Sequence, residues 1–208
     1  MTTGDTLFAA RTGVGATYLT VAFSSLGDFR IESNLETAYP LYRTNALFRD
    51  PSAWYHIVVA LDMTQATASE RLKVWINSVL QTTLSYNVPA QNTDLAVNST
   101  ETHLIGQQAS GNYLDGLLSR LCFVDGYPNG VNNANWASTD LSALFGYRNT
   151  EINEWVTKSR SAVKAVVDAG GTNSFMLDFE DGTSLTTLGN DYSTKNNDWT
   201  LTNHSLTA

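Results

Sequence analysis

Apolar side chains in this chain recur at every second residue, a period that builds sheets and not helices. In "TYLTVAF" Leu19, Val21 and Phe23 share one face. In "DFRIES" Phe29 and Ile31 alternate with Asp28, Arg30 and Glu32. The intervening "SSLG" reads as a hairpin connection ending in Gly27. In "RLKVWIN" Leu72, Val74 and Ile76 are expected to point inward, and Arg71, Lys73 and Trp75 outward. After Asn77-Ser78, "VLQTTLSY" reads as the return strand. "WYHIVVALD" and "LLSRLCFVDG" are apolar on both faces, as strands covered on both sides must be. Turn residues punctuate these runs at short intervals, which predicts an all-β fold: a two-sheet antiparallel sandwich or jelly roll.

Several segments depart from the alternation. "YNVPAQNTDLAVNST" is a long polar loop, and "TGVGATY" (Thr12 to Tyr18) reads as a hairpin loop. "PNGVNNANWASTDLSALFG" offers Ser138, Thr139 or Asp140 as the N-cap of one short helical turn closed by Gly146. In "SAVKAVVDAGG" Val163, Val166 and Val167 fall on one face of a short helix that Gly170-Gly171 would end. "NSFMLDFEDG" resumes alternation with Phe175, Leu177 and Phe179, and "DWTLTN" reads as a last strand.

Composition narrows the classes of function. Only 15% of the 208 residues are charged, below the usual quarter, while Thr, Ser, Asn and Gly abound. A weakly charged polar exterior suits secreted or virion-exposed β proteins. The net charge of −8 opposes attraction to nucleic acid or anionic membranes, so neither is expected as a partner. No apolar run is long enough to span a bilayer, and "MTTGDTLFAA" carries no signal-peptide pattern. The single cysteine, Cys122, excludes an intrachain disulfide and sits in an apolar run, as buried packing does.

"LFRDPSAWYHIVVALDMTQATASERLKVWIN" resembles the middle of a laminin-G-like, concanavalin A-like jelly-roll domain. There a Trp-x-His opens a central strand and the next strand ends in an Asn-Gly type hairpin. "HLIGQQASGNYLDGLLSRLCFVDG" is similar to a later signature, a strand ending in Ile-Gly (here Gly106) that leads through an Asp-Gly turn (Asp115-Gly116) into the last core strand. With "FMLDFEDGTSLTTLGNDYSTKNNDWTLTN", the order of segments resembles a group of phage virion proteins that carry this domain. The likeness spans most of residues 6–208. It implies a sandwich over 1–146 and a C-terminal extension over 147–208, with Trp54, His56, Gly106, Asp115 and Gly116 in structural roles. Two departures stand out. Asn77-Ser78 replaces Asn-Gly, and a serine at positive φ costs roughly 1 kcal/mol. Strands that relatives have ahead of "TLFAA" are missing here, so the extension is expected to supply them, on its own domain or to a neighbouring subunit.

Each chemistry-bearing residue has a packing role to set beside its functional one. His56 lies at period two with Trp54 and Val58 amid Ile, Val and Leu. A metal site needs several convergent ligands, and His103 and His204 sit in unrelated contexts, although His103 opens a strand that could neighbour His56. Glycoside hydrolysis needs two carboxyls facing one sugar. Asp178 and Glu180 of "DFED" share a face that should look to solvent, with Asp181 beside them. Glu151 and Glu154 of "EINE" lie where no strand is signalled. Calcium through loop carboxylates is conceivable at Asp62, Asp94, Asp115 and Asp125, yet these form no acidic run with ligand spacing. For a sugar ligand, Tyr113, Trp136 and Trp75 are the candidate stacking aromatics. "NST" at Asn98 and "NHS" at Asn203 match glycosylation sequons, accidental in a phage protein.

The expectation is therefore a non-enzymatic virion structural protein on the particle exterior, made in the host cytoplasm. It would be an adhesive fibre or tail-associated module, or a capsid decoration protein, contacting other virion proteins and itself, with no cofactor. The competing expectation is a carbohydrate-binding, lectin-like module for host surface polysaccharide. A catalytic role comes third.

Overall fold

The computed structural model describes residues 4–11, 17–34, 41–108, 111–128 and 130–202, with 84–86 described by backbone only. The loop at 12–16 and the sequon and histidine at Asn203 and His204 lie outside the described residues. The chain divides into two compact units, Met1–Leu117 and Leu118–Ala208. The division falls after Leu117, whereas the sequence implied one after Gly146. Mostly β structure in antiparallel sheets is observed.

The first unit contains β1 (Asp5–Ala10), β2 (Leu19–Phe23), β3 (Asp28–Ser33), β4 (Tyr42–Leu47), β5 (Ile57–Leu61), the short α1 (Ala68–Arg71), β6 (Leu72–Ile76), β7 (Val79–Leu80), β8 (Thr83–Tyr86) and β9 (His103–Ile105). Six strands form one sheet in the order β8-β4-β3-β2-β1-β9, and three form another, β5-β6-β7. One apolar core joins them. Ala10, Leu19, Phe29, Ile31 and Tyr42 come from the large sheet and Leu72, Val74 and Ile76 from the small one, all fully or nearly fully buried. Each large side chain so placed contributes roughly 1.5–3 kcal/mol. The period-two reading of "TYLTVAF", "DFRIES" and "RLKVWIN" therefore describes the faces that meet in this core. The polar loop after β8 is not all surface: Ala96 is buried in the core, with Val88, Leu95 and Val97 packed against it.

Turn chemistry follows local rules. Gly27 closes the β2–β3 hairpin at φ +86°, a value that glycine takes without strain. Asn77 and Ser78 sit at φ 49° and 67°, the two positive values of a type I′ turn. The Asn77 side chain accepts from the His56 amide at 2.8 Å and the Asn77 amide donates to the His56 carbonyl at 2.8 Å. These bonds hold the turn whose serine is conformationally disfavoured.

Four strand expectations are corrected. "VLQTTLSY" is not one return strand: β7 stays on β6, while β8 crosses to pair with β4. The run "WYHIVVALD" is not a central strand, since β5 pairs with β6 alone among the described residues. Its inward residues are Tyr55, Ile57, Val59 and Leu61, so Trp54 belongs to the opposite set and is 63% exposed. Trp75 does not point into water. All five residues of β6 are buried, and Trp75 is 4% exposed between its cross-strand partners Val58 and Leu80.

The second unit holds β10 (Leu121–Phe123), β11 (Gly146–Asn149), β12 (Glu154–Thr157), α2 (Arg160–Asp168), β13 (Phe175–Leu177) and α3 (Leu185–Leu188). Two 3-10 turns, Trp136–Ser138 and Leu141–Leu144, precede β11, and the Asp140 side chain caps the second by accepting from the Ser142 amide. Helix α2 forms as the valine spacing predicts. Ser159 caps it, and Val163 and Val167 pack on Met176 with Cys122, Val124 and Phe145 around them. "LLSRLCFVDG" supplies a strand of only three residues, with Leu117 left 81% exposed. "EINE" is not strandless: Glu154 opens β12, which forms a hairpin with β11 through Asn153 at φ 56°. Gly146 is required there, because a Cβ would come within 2.8 Å of the Trp155 indole. The described residues of "DWTLTN", 198–202, form no strand, and Trp199 instead places its ring 4.9 Å from that of Phe175. Within "FMLDFEDG", β13 pairs with β10, and the side of β1 away from β2 is taken by β9.

Candidate functional site

The residues singled out from sequence do not converge on one site. His56 is half-buried one residue ahead of β5, and burial holds its imidazole below the usual histidine value. Its main chain is bound to Asn77 on the neighbouring strand. His103 lies in β9 of the other sheet, where its Nε2 accepts from the Asn98 amide at 3.1 Å, its Nδ1 is 2.7 Å from the Glu101 carbonyl, and its ring rests against Phe8. The two histidines thus serve different sheets. Among the described residues, no three His, Cys, Asp or Glu side chains form a metal-holding group.

The candidate calcium ligands are scattered. Asp62 is buried and accepts from Thr64 and the Gln65 side-chain NH2, which ties its own turn. Asp94 is exposed. The exposed Asp115 donates its amide to Asp5, and Asp125 accepts from the Asn173 amide in the second unit. Gly106 ends β9 at φ +69°, its amide donating to Leu7 and its carbonyl accepting from Leu114. The strand thus turns at Ile-Gly as its sequence suggests, while Asp115 and Gly116 lie in an exposed bend.

Of the three candidate stacking aromatics, only Tyr113 is open, at 60% exposure. Trp75 is buried in the small sheet. Trp136 is 5% exposed in its 3-10 turn, edge-on to Tyr127 at 5.7 Å. Both tryptophans are corrected from ligand contacts to packing: their large apolar area is worth more buried than waiting for a ligand.

The carboxylates of "DFED" are engaged. Asp178 is 9% exposed at its side chain, not solvent-facing, and pairs with Arg160, whose Nη1 lies 2.9 Å from Glu180 Oε2. The same guanidinium covers the Tyr192 ring at 3.4 Å. One guanidinium thus engages both acids. Asp181 binds Thr183 in a tight turn, and Glu151 and Glu154 are exposed. Cys122 is free, and burial pushes its thiol up to about 12.

Sequence reasoning missed the most organised polar cluster. It lies on the large sheet, on the face opposite the core. Asp28 is fully buried and accepts from Ser24 Oγ at 2.6 Å, Arg30 Nε at 2.5 Å and Arg43 Nε at 3.1 Å. Burial by itself would raise its carboxyl, but these charged and hydroxyl donors outweigh burial and hold it at about 2. Glu32 stands 3.9 Å from Arg30. The only available signal was the alternation itself, which puts Asp28, Arg30 and Glu32 on one face of β3. Nothing local said that this face would be covered. A second missed residue is Arg71, buried and donating to the carbonyls of Gln65, Ala66 and Pro89. It ties the segment at Gln65 and Ala66 to that at Pro89.

Compared with models of known families, with curated proteins and with solved structures, the chain matches none of them.

Proposed function

We propose that the chain is a non-enzymatic, lectin-like structural module of a phage particle, its first unit a jelly roll of the laminin-G-like kind. The observation that carries this reading is the two-sheet core of the first unit, with the type I′ turn at Asn77-Ser78 standing where the resembling domains have Asn-Gly. The engaged state of Asp178 and Glu180 supports a non-catalytic role. A rigid sandwich with a weakly charged surface suits adhesion or decoration, where many copies turn weak contacts into avidity. Labelling intact particles with antibodies against the recombinant chain tests the proposal, alongside the mass and copy number of the chain in purified particles. Chain found at stoichiometric copy number on the particle exterior supports it; chain absent from purified particles overturns it.

Tyr113 keeps one route open to a glycan-binding reading, since its ring is available for stacking. A glycan array in which wild type binds and Tyr113→Ala does not would favour that reading over a purely structural one.

A further inference from the structure

The covered polar face of the large sheet contains a small cavity of ≈ 20 Å3, lined by Thr6, Thr20, Arg30, Glu32, Gln108 and Asn112 among others. Thr20 lies on β2 directly across from Glu32 on β3 and Ala9 on β1. Gln108 comes from the segment that follows β9. Both side chains are out of solvent, at 2% and 4% exposure. Thr20 Oγ1 and Gln108 Nε2 are buried and have no hydrogen-bond partner among the described residues. The Gln108 amide is oriented by its other end, since its Oε1 accepts from Asn112 Nδ2 at 2.9 Å. The NH2 end, Nε2, is the end left without a partner. Two buried polar groups without partners would each cost about 1–3 kcal/mol, and native proteins rarely leave such a cost unrelieved.

We propose that this cavity is a binding site for one ordered water molecule, which accepts from Gln108 Nε2 and exchanges a hydrogen bond with Thr20 Oγ1. The volume suits it, because about 10–15 Å3 of such space holds one water and the site must offer at least two polar partners. The charges suit a neutral occupant. The lining carries one cation and one anion, Arg30 and Glu32, 3.9 Å apart, so their fields oppose each other at the site. The unpartnered end of Gln108 is an NH2 donor, which suits an acceptor and not a metal ion. The water has a structural consequence: it joins β2 to the segment of Gln108, whose backbone is bonded both ways to Gly111 and which leads directly to the exposed Tyr113.

The test combines a map and a mutant cycle. In a high-resolution crystal structure of the full chain, a solvent peak within hydrogen-bond distance of both atoms is expected; a cavity with no peak overturns the proposal. Thr20→Val and Gln108→Leu should each lower the folded-to-unfolded ratio about five- to tenfold, and the double variant by less than the product of the two, because both lose the same water. Strictly multiplicative losses would count against a shared occupant. An anion or metal at the peak, seen as anomalous signal after bromide or manganese soaks, would equally overturn it. If Gln108→Leu does not fold, the wild-type map and Thr20→Val, in which the peak should weaken or vanish, still decide.

Discussion

Replacing Asp28 with asparagine tests how the large sheet is held on its polar side. The carboxylate is fully buried and receives donors from Ser24, Arg30 and Arg43. Its value falls from an ordinary 3.8 to about 2, and at about 1.4 kcal/mol per pH unit that gap is worth roughly 2.5 kcal/mol at neutral pH. Arg30 and Arg43 keep 16% and 31% of their side chains in water. The cost of leaving them without a counter-charge therefore stays below the roughly 3–5 kcal/mol of a fully buried broken pair. Asp28→Asn should thus lose about 2 kcal/mol, read by hydrogen exchange on peptides covering β2, β3 and β4. The sign with pH is set by the direction of the shift. Because the folded value is the lower one, the unfolded chain takes up the proton first as pH falls. The stabilisation is therefore complete above about pH 4 and is lost as pH approaches 2. Wild type and variant should converge over that window. A variant within about 0.5 kcal/mol of wild type at neutral pH, or a gap that stays constant down to pH 2, would contradict this account of Asp28.

Two further outcomes follow from the second unit. Burial, opposed by Arg120 and aided by Asp178 and Asp191, pushes the Cys122 thiol up to about 12, so Cys122 should react with a disulfide reagent at mildly alkaline pH at least about a hundredfold more slowly in the folded chain than in urea; equal rates would show an accessible thiolate. Val167→Ala removes two methyl groups from a fully buried contact with Met176 and should cost about 2 kcal/mol. Urea unfolding followed by helix circular dichroism checks it, and a loss under about 0.5 kcal/mol would mean α2 is not anchored there.

The faces that meet in the two-sheet core are legible in the residue order. Leu19, Phe29, Ile31, Leu72, Val74 and Ile76 declare themselves by period two, and the Asn77-Ser78 turn, the Asp140 cap and the valine stripe of α2 by short-range chemistry. Each depends on residues a few positions apart, and their geometry is a property of the local backbone. The misreadings at Trp54, Trp75 and the Asp28 cluster share one origin. Alternation states which side chains lie together, not which of the two faces is covered. Trp54 and Tyr55 are adjacent and both aromatic, yet only the set containing Tyr55 meets the other sheet. Trp75 and the Asp28 cluster stand on non-core faces that are nonetheless covered, while Tyr113 remains open.

That this chain makes antiparallel sheets around an apolar core is written in its residue order, because side-chain alternation is intrinsic to the extended backbone. Three features came only with the folded chain: β7 and β8 part company between two sheets, β9 flanks β1, and Arg160 holds Asp178. Those pairings join residues far apart along the chain. Their selection rests on the summed burial and hydrogen bonding of whole sheets, a quantity no short window contains.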